Sequence, residues 1–135
     1  MASPSGARER PLSPHLQIYK PLINMVMSIV HRITGASLYF GSMLLAWWLI
    51  ALAQGERSYA LVVEVFSHPL GKLVLVGYTW ALVHHMLGGI RHLYWDTGRG
   101  FSLPSVRLLS WLSIIGSLTI TAALWGVGLH LRGAI

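Results

Sequence analysis

Histidine side chains inside an uncharged stretch are the residues of this sequence best suited to chemistry. His84 and His85 interrupt an otherwise apolar run, residues 73–90. An ionisable side chain at membrane depth is costly and usually functional, and a neutral imidazole is a ligand for haem iron. The two side chains point roughly 100° apart on a helix, so only one of them faces a given cofactor. Spacing alone leaves two interpretations for each: an iron ligand, or a histidine that hydrogen-bonds in the core.

Further charged side chains follow on the same predicted helix. His92 comes seven residues after His85, two turns or about 10.5 Å along the axis, so the two imidazoles share a face. Arg91 beside it is a cationic donor that suits anionic lipid or haem propionates. Asp96 has a simpler interpretation as the ion-pair partner of Arg91 or Arg99.

Two glycines follow the histidine pair by about one turn. Gly88 and Gly89 leave room for close approach of another helix or of a flat cofactor. Gly35, Gly126 and Gly128 have the simpler interpretation of helix packing alone.

A second polar group lies where the first apolar stretch begins. Ser28 and Arg32 are four residues apart and share one helix face, with His31 beside them. A hydroxyl and a guanidinium on one face can together hydrogen-bond a carbonyl oxygen of a ligand. The alternative is an interfacial arginine that snorkels to lipid headgroups and sets the topology, and spacing alone favours it.

Three uncharged stretches must position these side chains: residues 33–53, 73–90 and 108–129, of 21, 18 and 22 residues. Each covers roughly 30 Å as a helix, the thickness of the hydrocarbon core, where the backbone must satisfy its own hydrogen bonds. We predict an all-α integral membrane protein. It has a short cytoplasmic surface arm, residues 1–24, and one transmembrane domain, residues 25–131, whose helices span about residues 25–54, 68–96 and 104–131.

The composition excludes several other classes. Hydrophobic residues make up 54% and charged residues 10%, whereas a soluble domain has about 25% charged residues. The net charge of +6 comes from cations between apolar runs rather than in one patch, which argues against nucleic-acid binding. The absence of cysteine excludes disulfides and iron–sulfur clusters ligated by this chain. Paired carboxylates, phosphate-binding loops and the inverted repeats of a transporter are absent from the sequence.

Lysine and arginine predict the orientation in the membrane. The side of the N-terminus and the second loop holds seven of them, and the opposite side holds three. The N-terminus is therefore expected in the cytoplasm and the C-terminus in the periplasm. No cleavable targeting segment is visible in the polar first 20 residues, which favours a bacterial inner membrane. The seven are Arg8, Arg10, Lys20, Arg32, Arg91, Arg99 and Arg107, and the three are Arg57, Lys72 and Arg132.

Two segments of the sequence resemble signatures of the cytochrome b subunits of succinate dehydrogenase. The first combines Arg10-Pro11-Leu12 with Ser28-Ile29-Val30-His31-Arg32-Ile33-Thr34. The second is His85-Met86-Leu87-Gly88-Gly89-Ile90-Arg91-His92-Leu93-Tyr94-Trp95-Asp96-Thr97-Gly98. The similarity runs from about Arg10 to the end of the third predicted helix, which adds hydropathy but no motif.

The resemblance implies a role for each matching residue. His85, rather than His84, takes the position of the axial ligand to the iron of haem b, because its spacing to the glycine matches. Ser28 and Arg32 take positions that line the quinone pocket on the cytoplasmic side, and Asp96 lies near the quinone end of its helix. Other residues of the two segments approach the haem and its propionates: His31, Arg32, His92 and Gly89.

The resemblance also implies partners. A flavoprotein subunit oxidises succinate, an iron–sulfur subunit carries the electrons, and a small hydrophobic membrane subunit supplies the second haem ligand. Electrons then reach ubiquinone in the bilayer, so this chain is not catalytic alone. Two alternatives remain: a haem-free anchor or assembly protein, and the anchor of a quinol:fumarate reductase. A two-haem anchor is disfavoured because four histidines crowd one side and His130 is alone at the other end.

Overall fold

A computed structural model describes His15 and residues 18–133. Within this part the chain forms four helices and no strand: α1 (Ile23–Gln54), α2 (Glu56–Ser67), α3 (Pro69–Asp96) and α4 (Leu103–Leu131). Helices α1, α3 and α4 are long and apolar enough to cross a membrane. The predicted all-α membrane fold with three spanning helices is confirmed. Most of the predicted arm, including the Arg10-Pro11-Leu12 segment and Arg8, lies outside the described residues.

Prolines and one glycine set the helix boundaries. Pro69 and Pro104 lie in the first turns of α3 and α4, where a missing backbone donor costs nothing. The side chain of His68 accepts a hydrogen bond from the backbone N–H of Leu70 and so caps α3. Only Gly55 separates α1 from α2, and its φ of +102° lies in a region that favours glycine.

Helix α1 is longer than the hydrocarbon is thick. Its 32 residues extend over about 48 Å, against about 30 Å for the membrane core. When its uncharged part, residues 33–53, lies in the hydrocarbon, the first turns of the helix reach the lipid headgroups. Ser28, His31 and Arg32 are therefore at the membrane edge, on the side of the N-terminus.

Helix α2 is an element that the hydropathy runs did not predict. Its 12 residues cover about 18 Å, too short to cross a bilayer. Val62 is buried against the other helices, and the ring of Phe66 lies 5.8 Å from that of Trp47 on α1. Glu56 in the first turn favours the helix start through its interaction with the helix dipole. The helix forms most of the connection between the first two spans, α1 and α3, and packs on both of them.

Helix α3 is the centre of the bundle and packs on both α1 and α4. Large apolar side chains of both α3 and α4 point away from the bundle: Leu93 on α3 is 67% exposed, and Leu103 at the start of α4 is 81% exposed. The buried face of α4 carries hydroxyls instead, which we call the hydroxyl face. Small polar residues let membrane helices approach closely, so α3 and α4 pack through small side chains while the apolar ones meet lipid. The hydroxyl face consists of Ser110, Ser113, Ser117 and Thr121.

Candidate functional site

Two parallel imidazoles join α1 to α3. The rings of His31 and His85 are stacked, with centroids 4.0 Å apart and an interplanar angle of 4°. A glycine on the opposite helix makes room for each ring. A Cβ added to Gly35 would lie 2.9 Å from Cε1 of His85, and one added to Gly88 would overlap the ring of His31. Gly35, interpreted from sequence as a packing residue, therefore also makes room for the His85 ring.

His92 extends this pair into a cluster of three imidazoles, the histidine cluster (His31, His85 and His92). Its ring centroid lies 5.3 Å from that of His31. The sequence predicted that His85 and His92 share a face two turns apart, and His31 from the other helix fills the space between them. The stack also places His85 level with the N-terminal end of the uncharged part of α1, closer to the membrane edge than to the membrane centre.

The hydrogen bonds of His85 fix its tautomer. Nδ1 lies 3.1 Å from the backbone carbonyl oxygen of His31 and 3.4 Å from Oγ1 of Thr34. A carbonyl only accepts, so Nδ1 is the donor, and in the neutral imidazole Nε2 then keeps a free lone pair. This is the usual arrangement of a metal-bound histidine, whose other nitrogen donates to a backbone carbonyl. The half-buried His85 ring therefore fits an axial ligand to haem iron.

His84 has a different environment, although it is the next residue. It is 2% exposed, its Nδ1 lies 3.1 Å from Oγ of Ser117 on α4, and its ring lies 5.2 Å from that of Trp80. The side chain is enclosed between α3 and α4, where no face is open to a cofactor or a second chain. The geometry favours the interpretation of His84 as a hydrogen-bonded core residue.

Arg91 is a buried cation with incomplete hydrogen bonding. It is 5% exposed, Nη1 donates a long hydrogen bond of 3.5 Å to Oγ of Ser110, and the guanidinium lies 5.1 Å from the ring centroid of Trp95. Among the described residues, Nε of Arg91 and Nδ1 of His31 are buried without a partner. Buried charge is expensive unless compensated. Arg91 faces α4, on the same side of α3 as His84, so its guanidinium points away from the histidine cluster.

The remaining predicted site residues face outward. Ser28 and Arg32 are exposed on α1, and the hydrogen bonds of the described residues do not connect them to the histidine cluster. Asp96 is exposed at the end of α3, while Arg91 turns to Ser110 rather than to this carboxylate. A Cβ added to Gly89 would meet nothing within 4 Å. These positions are open to lipid, to a ligand or to another chain.

Comparison with known proteins identifies the family. The profile described as "Succinate dehydrogenase/Fumarate reductase transmembrane subunit" matches residues 6–124. The chain belongs to this family. It is thus a transmembrane subunit of an oxidoreductase complex, in agreement with its three apolar spans.

Individual members of the family are similar over most of their length. The succinate dehydrogenase cytochrome b556 subunit of Rickettsia prowazekii is 41% identical over 117 residues, which are 87% of this chain and 91% of the relative. The subunit of the same name from Paracoccus denitrificans is 40% identical over 111 residues, or 82% of this chain and 85% of the relative. The mitochondrial cytochrome b560 subunit of Mus musculus is 38% identical over 124 residues, 89% of this chain and 69% of the relative.

Proposed function

We propose that the chain is the membrane anchor of succinate dehydrogenase that binds haem b and helps form the quinone-reduction site. The observation that carries this proposal is the stacked His85, whose Nδ1 is held by a backbone carbonyl and whose Nε2 is left free. The relatives named cytochrome b556 and b560 support haem as the cofactor. The family description also covers fumarate reductase, and the relatives described above favour succinate oxidation.

In the proposed haem site, Nε2 of His85 would coordinate the haem iron. The His85 ring is only half-buried by this chain, which leaves room beside it for a ligand from a second chain. We assign that ligand to the small hydrophobic membrane subunit of the complex. Bound there, haem b supplies one-electron redox chemistry within the membrane. His31 and His92 are groups on this chain suited to hold its propionates.

Two further positions are proposed to lie near the haem, Gly89 and Arg32. Gly89 is open on the surface of α3 and leaves room for a flat ligand, since a Cβ there would meet nothing within 4 Å in this chain. Arg32 is an exposed cation one residue after His31, so it suits either a propionate or the quinone.

The proposed quinone site lies at the membrane edge around Ser28 and Arg32. Both side chains are exposed and share one face of α1. The hydroxyl and the guanidinium donate hydrogen bonds to a carbonyl oxygen of ubiquinone. The guanidinium also stabilises the negative charge that develops on that oxygen during reduction. Asp96, exposed on the same side of the membrane, is a weaker candidate for this site and a carrier of protons.

The proposed orientation follows from the cations and from the place of this site. The N-terminus and the loop between α3 and α4 are cytoplasmic, and α2 and the C-terminus are periplasmic, in a bacterial inner membrane. The flavoprotein and iron–sulfur subunits then dock on the cytoplasmic face, where electrons from succinate arrive beside Ser28 and Arg32. The chain contributes binding groups but is not catalytic alone.

Adjacent histidines provide a matched test of the haem ligand. Complexes with His85→Leu or His84→Leu are purified with the partner subunits, and reduced-minus-oxidised absorption spectra are compared with the wild type. We expect His85→Leu to lose the b-type band in an assembled complex, because it removes the imidazole proposed to hold the haem iron. His84→Leu should keep the band, since its imidazole faces α4.

Either of two results contradicts the proposal. An assembled wild-type complex without a b-type band would leave a haem-free anchor. A band that disappears in His84→Leu and persists in His85→Leu would show that the ligand is His84 and not His85.

A further inference from the structure

The geometry points to Thr34 as a positioning residue for His85, one that shares the Nδ1 proton and thereby lowers the reduction potential of the bound haem. This inference rests on the proposed haem-binding function and concerns a residue outside the ligand and propionate set. It assigns Thr34 no contact with haem or quinone. Its effect reaches the iron only through the imidazole of His85.

The Thr34 hydroxyl has a fixed direction. The residue is 1% exposed, and Oγ1 lies 2.9 Å from the carbonyl oxygen of Val30 and 3.0 Å from that of His31. A hydroxyl has one hydrogen and two acceptor lone pairs. Because the hydrogen is directed to these helix carbonyls, the lone pairs are left to accept. The nearest side-chain donor is Nδ1 of His85 at 3.4 Å.

The Nδ1 proton of His85 is therefore shared between two acceptors. The stronger is the carbonyl oxygen of His31 at 3.1 Å, and the weaker is Oγ1 of Thr34 at 3.4 Å. Both belong to one turn of α1, so together they resist rotation of the ring about its bond to Cβ. The stacked ring of His31 covers one face of the imidazole, and Gly35 leaves room for Cε1. Helix α1 thus orients His85 through three residues: His31, by its ring and its carbonyl oxygen, Thr34 and Gly35.

Acceptors at Nδ1 change the electronic properties of the ligand as well as its orientation. A hydrogen bond from Nδ1–H raises the basicity of the imidazole. A more basic axial ligand favours the oxidised, more positive iron and lowers the reduction potential, a property that hydrogen bonds around a haem adjust. Removal of the Thr34 hydroxyl leaves one acceptor instead of two. The midpoint potential should then move in the positive direction.

The test compares Thr34→Val with Thr34→Ser in the whole purified complex. Valine has nearly the shape of threonine without the hydroxyl, and serine keeps the hydroxyl. The measurements are a potentiometric titration of the b-type band and the electron paramagnetic resonance g-values of the oxidised haem. Ser42→Ala is the matched control, because Ser42 also bonds a helix carbonyl of α1 but is exposed and lies two turns away.

We expect Thr34→Val to retain haem with a more positive midpoint potential and shifted g-values. Thr34→Ser and Ser42→Ala should match the wild type. Gly35→Ala is a second perturbation of the ring, since its Cβ would displace Cε1, and it should shift the g-values. Gly126→Ala, whose Cβ would meet nothing within 4 Å, should not.

The outcomes separate this inference from the proposed function. A wild-type complex without a b-type band overturns the haem site itself. A wild-type band together with unchanged potential and g-values in Thr34→Val overturns only the role of Thr34. If Thr34→Val and Thr34→Ala both fail to assemble while Thr34→Ser assembles, the hydroxyl is structural and the inference is also wrong.

Discussion

At the scale of single residues, Arg32 has two possible roles, contact with lipid headgroups and binding of a quinone oxygen. It is exposed in this chain, four residues from Ser28, at the edge of the membrane. An arginine that only anchors the helix to headgroups makes interchangeable contacts with lipid phosphates. One that holds a quinone oxygen makes a charge-assisted hydrogen bond that the reaction depends on. Activity measurements with two electron acceptors distinguish these cases.

Replacement of Arg32 by leucine should lower the rate of quinone reduction by about tenfold or more, since a hydrogen bond to a charged group contributes about 1.5–3 kcal/mol. Succinate oxidation with a water-soluble artificial acceptor should persist, because that reaction does not need the membrane site. The control is Arg107→Leu, which removes another exposed arginine near the same membrane surface. Equal loss of both activities in Arg32→Leu would contradict a quinone role and indicate failed assembly.

The sequence indicates which residue types could form a site, but it does not show where their side chains point. Spacing showed that His84 and His85 diverge, yet it could not say which of them faces α4, because that depends on where the other helices pack. It could not predict that His31 fills the space between His85 and His92, since this contact joins two helices. A buried Arg91 held by Ser110 and Trp95 is likewise a tertiary feature.

At the scale of elements, the hydroxyl face of α4 determines how closely α4 approaches α3. Ser117 is fully buried, and its Oγ bonds both the carbonyl of Ile114 and Nδ1 of His84. Ser110 bonds the carbonyl of Val106 and accepts from Arg91. In lipid, helices associate through such close packing and hydrogen bonds rather than through hydrophobic burial.

Substitution of Ser117 by leucine should therefore destabilise the complex. Extra methylene groups in a packed interface cost about 1–3 kcal/mol, and His84 also loses its partner. Thermal unfolding of the purified complex should show a lower midpoint than the wild type. Thr119→Leu, two residues away and exposed, should leave the midpoint unchanged. If both variants unfold alike, close packing at the hydroxyl face does not set the stability of this interface.

The three spanning helices were predictable, because uncharged runs of membrane length admit no other structure in lipid. Helix α2 was not, since its 12 residues carry charged and apolar side chains together and their burial depends on α1 and α3. The hydroxyl face carries a visible signal, four small polar residues spaced three or four apart. The sequence does not show which helix packs against this face, so it could not predict the contact between α3 and α4.

At the scale of the whole molecule, the orientation in the membrane is open to direct chemical measurement. The sequence contains no cysteine, so one introduced thiol is the only target of a maleimide within this chain. Arg57 on α2 and Arg99 between α3 and α4 are both exposed, and a single span, α3, separates them.

Arg57→Cys and Arg99→Cys should be labelled from opposite sides by a membrane-impermeant maleimide. In spheroplasts we expect labelling at position 57, and in inverted membrane vesicles at position 99. Full labelling of both after denaturation controls for access, and the unsubstituted chain controls for background. The reverse pattern would place the N-terminus in the periplasm and contradict the proposed quinone side.

The half-exposed imidazole of His85 has a consequence for how the complex is put together. A prosthetic group bound by residues from two chains has an apparent affinity for each that depends on the concentration of the other. If haem b is held between two chains as proposed, it strengthens by linkage the association of the two membrane subunits, by the same factor as each subunit strengthens the retention of haem. The supply of haem would in this way govern how many anchors mature, and a chain without its partner would leave one coordination position of the iron unfilled.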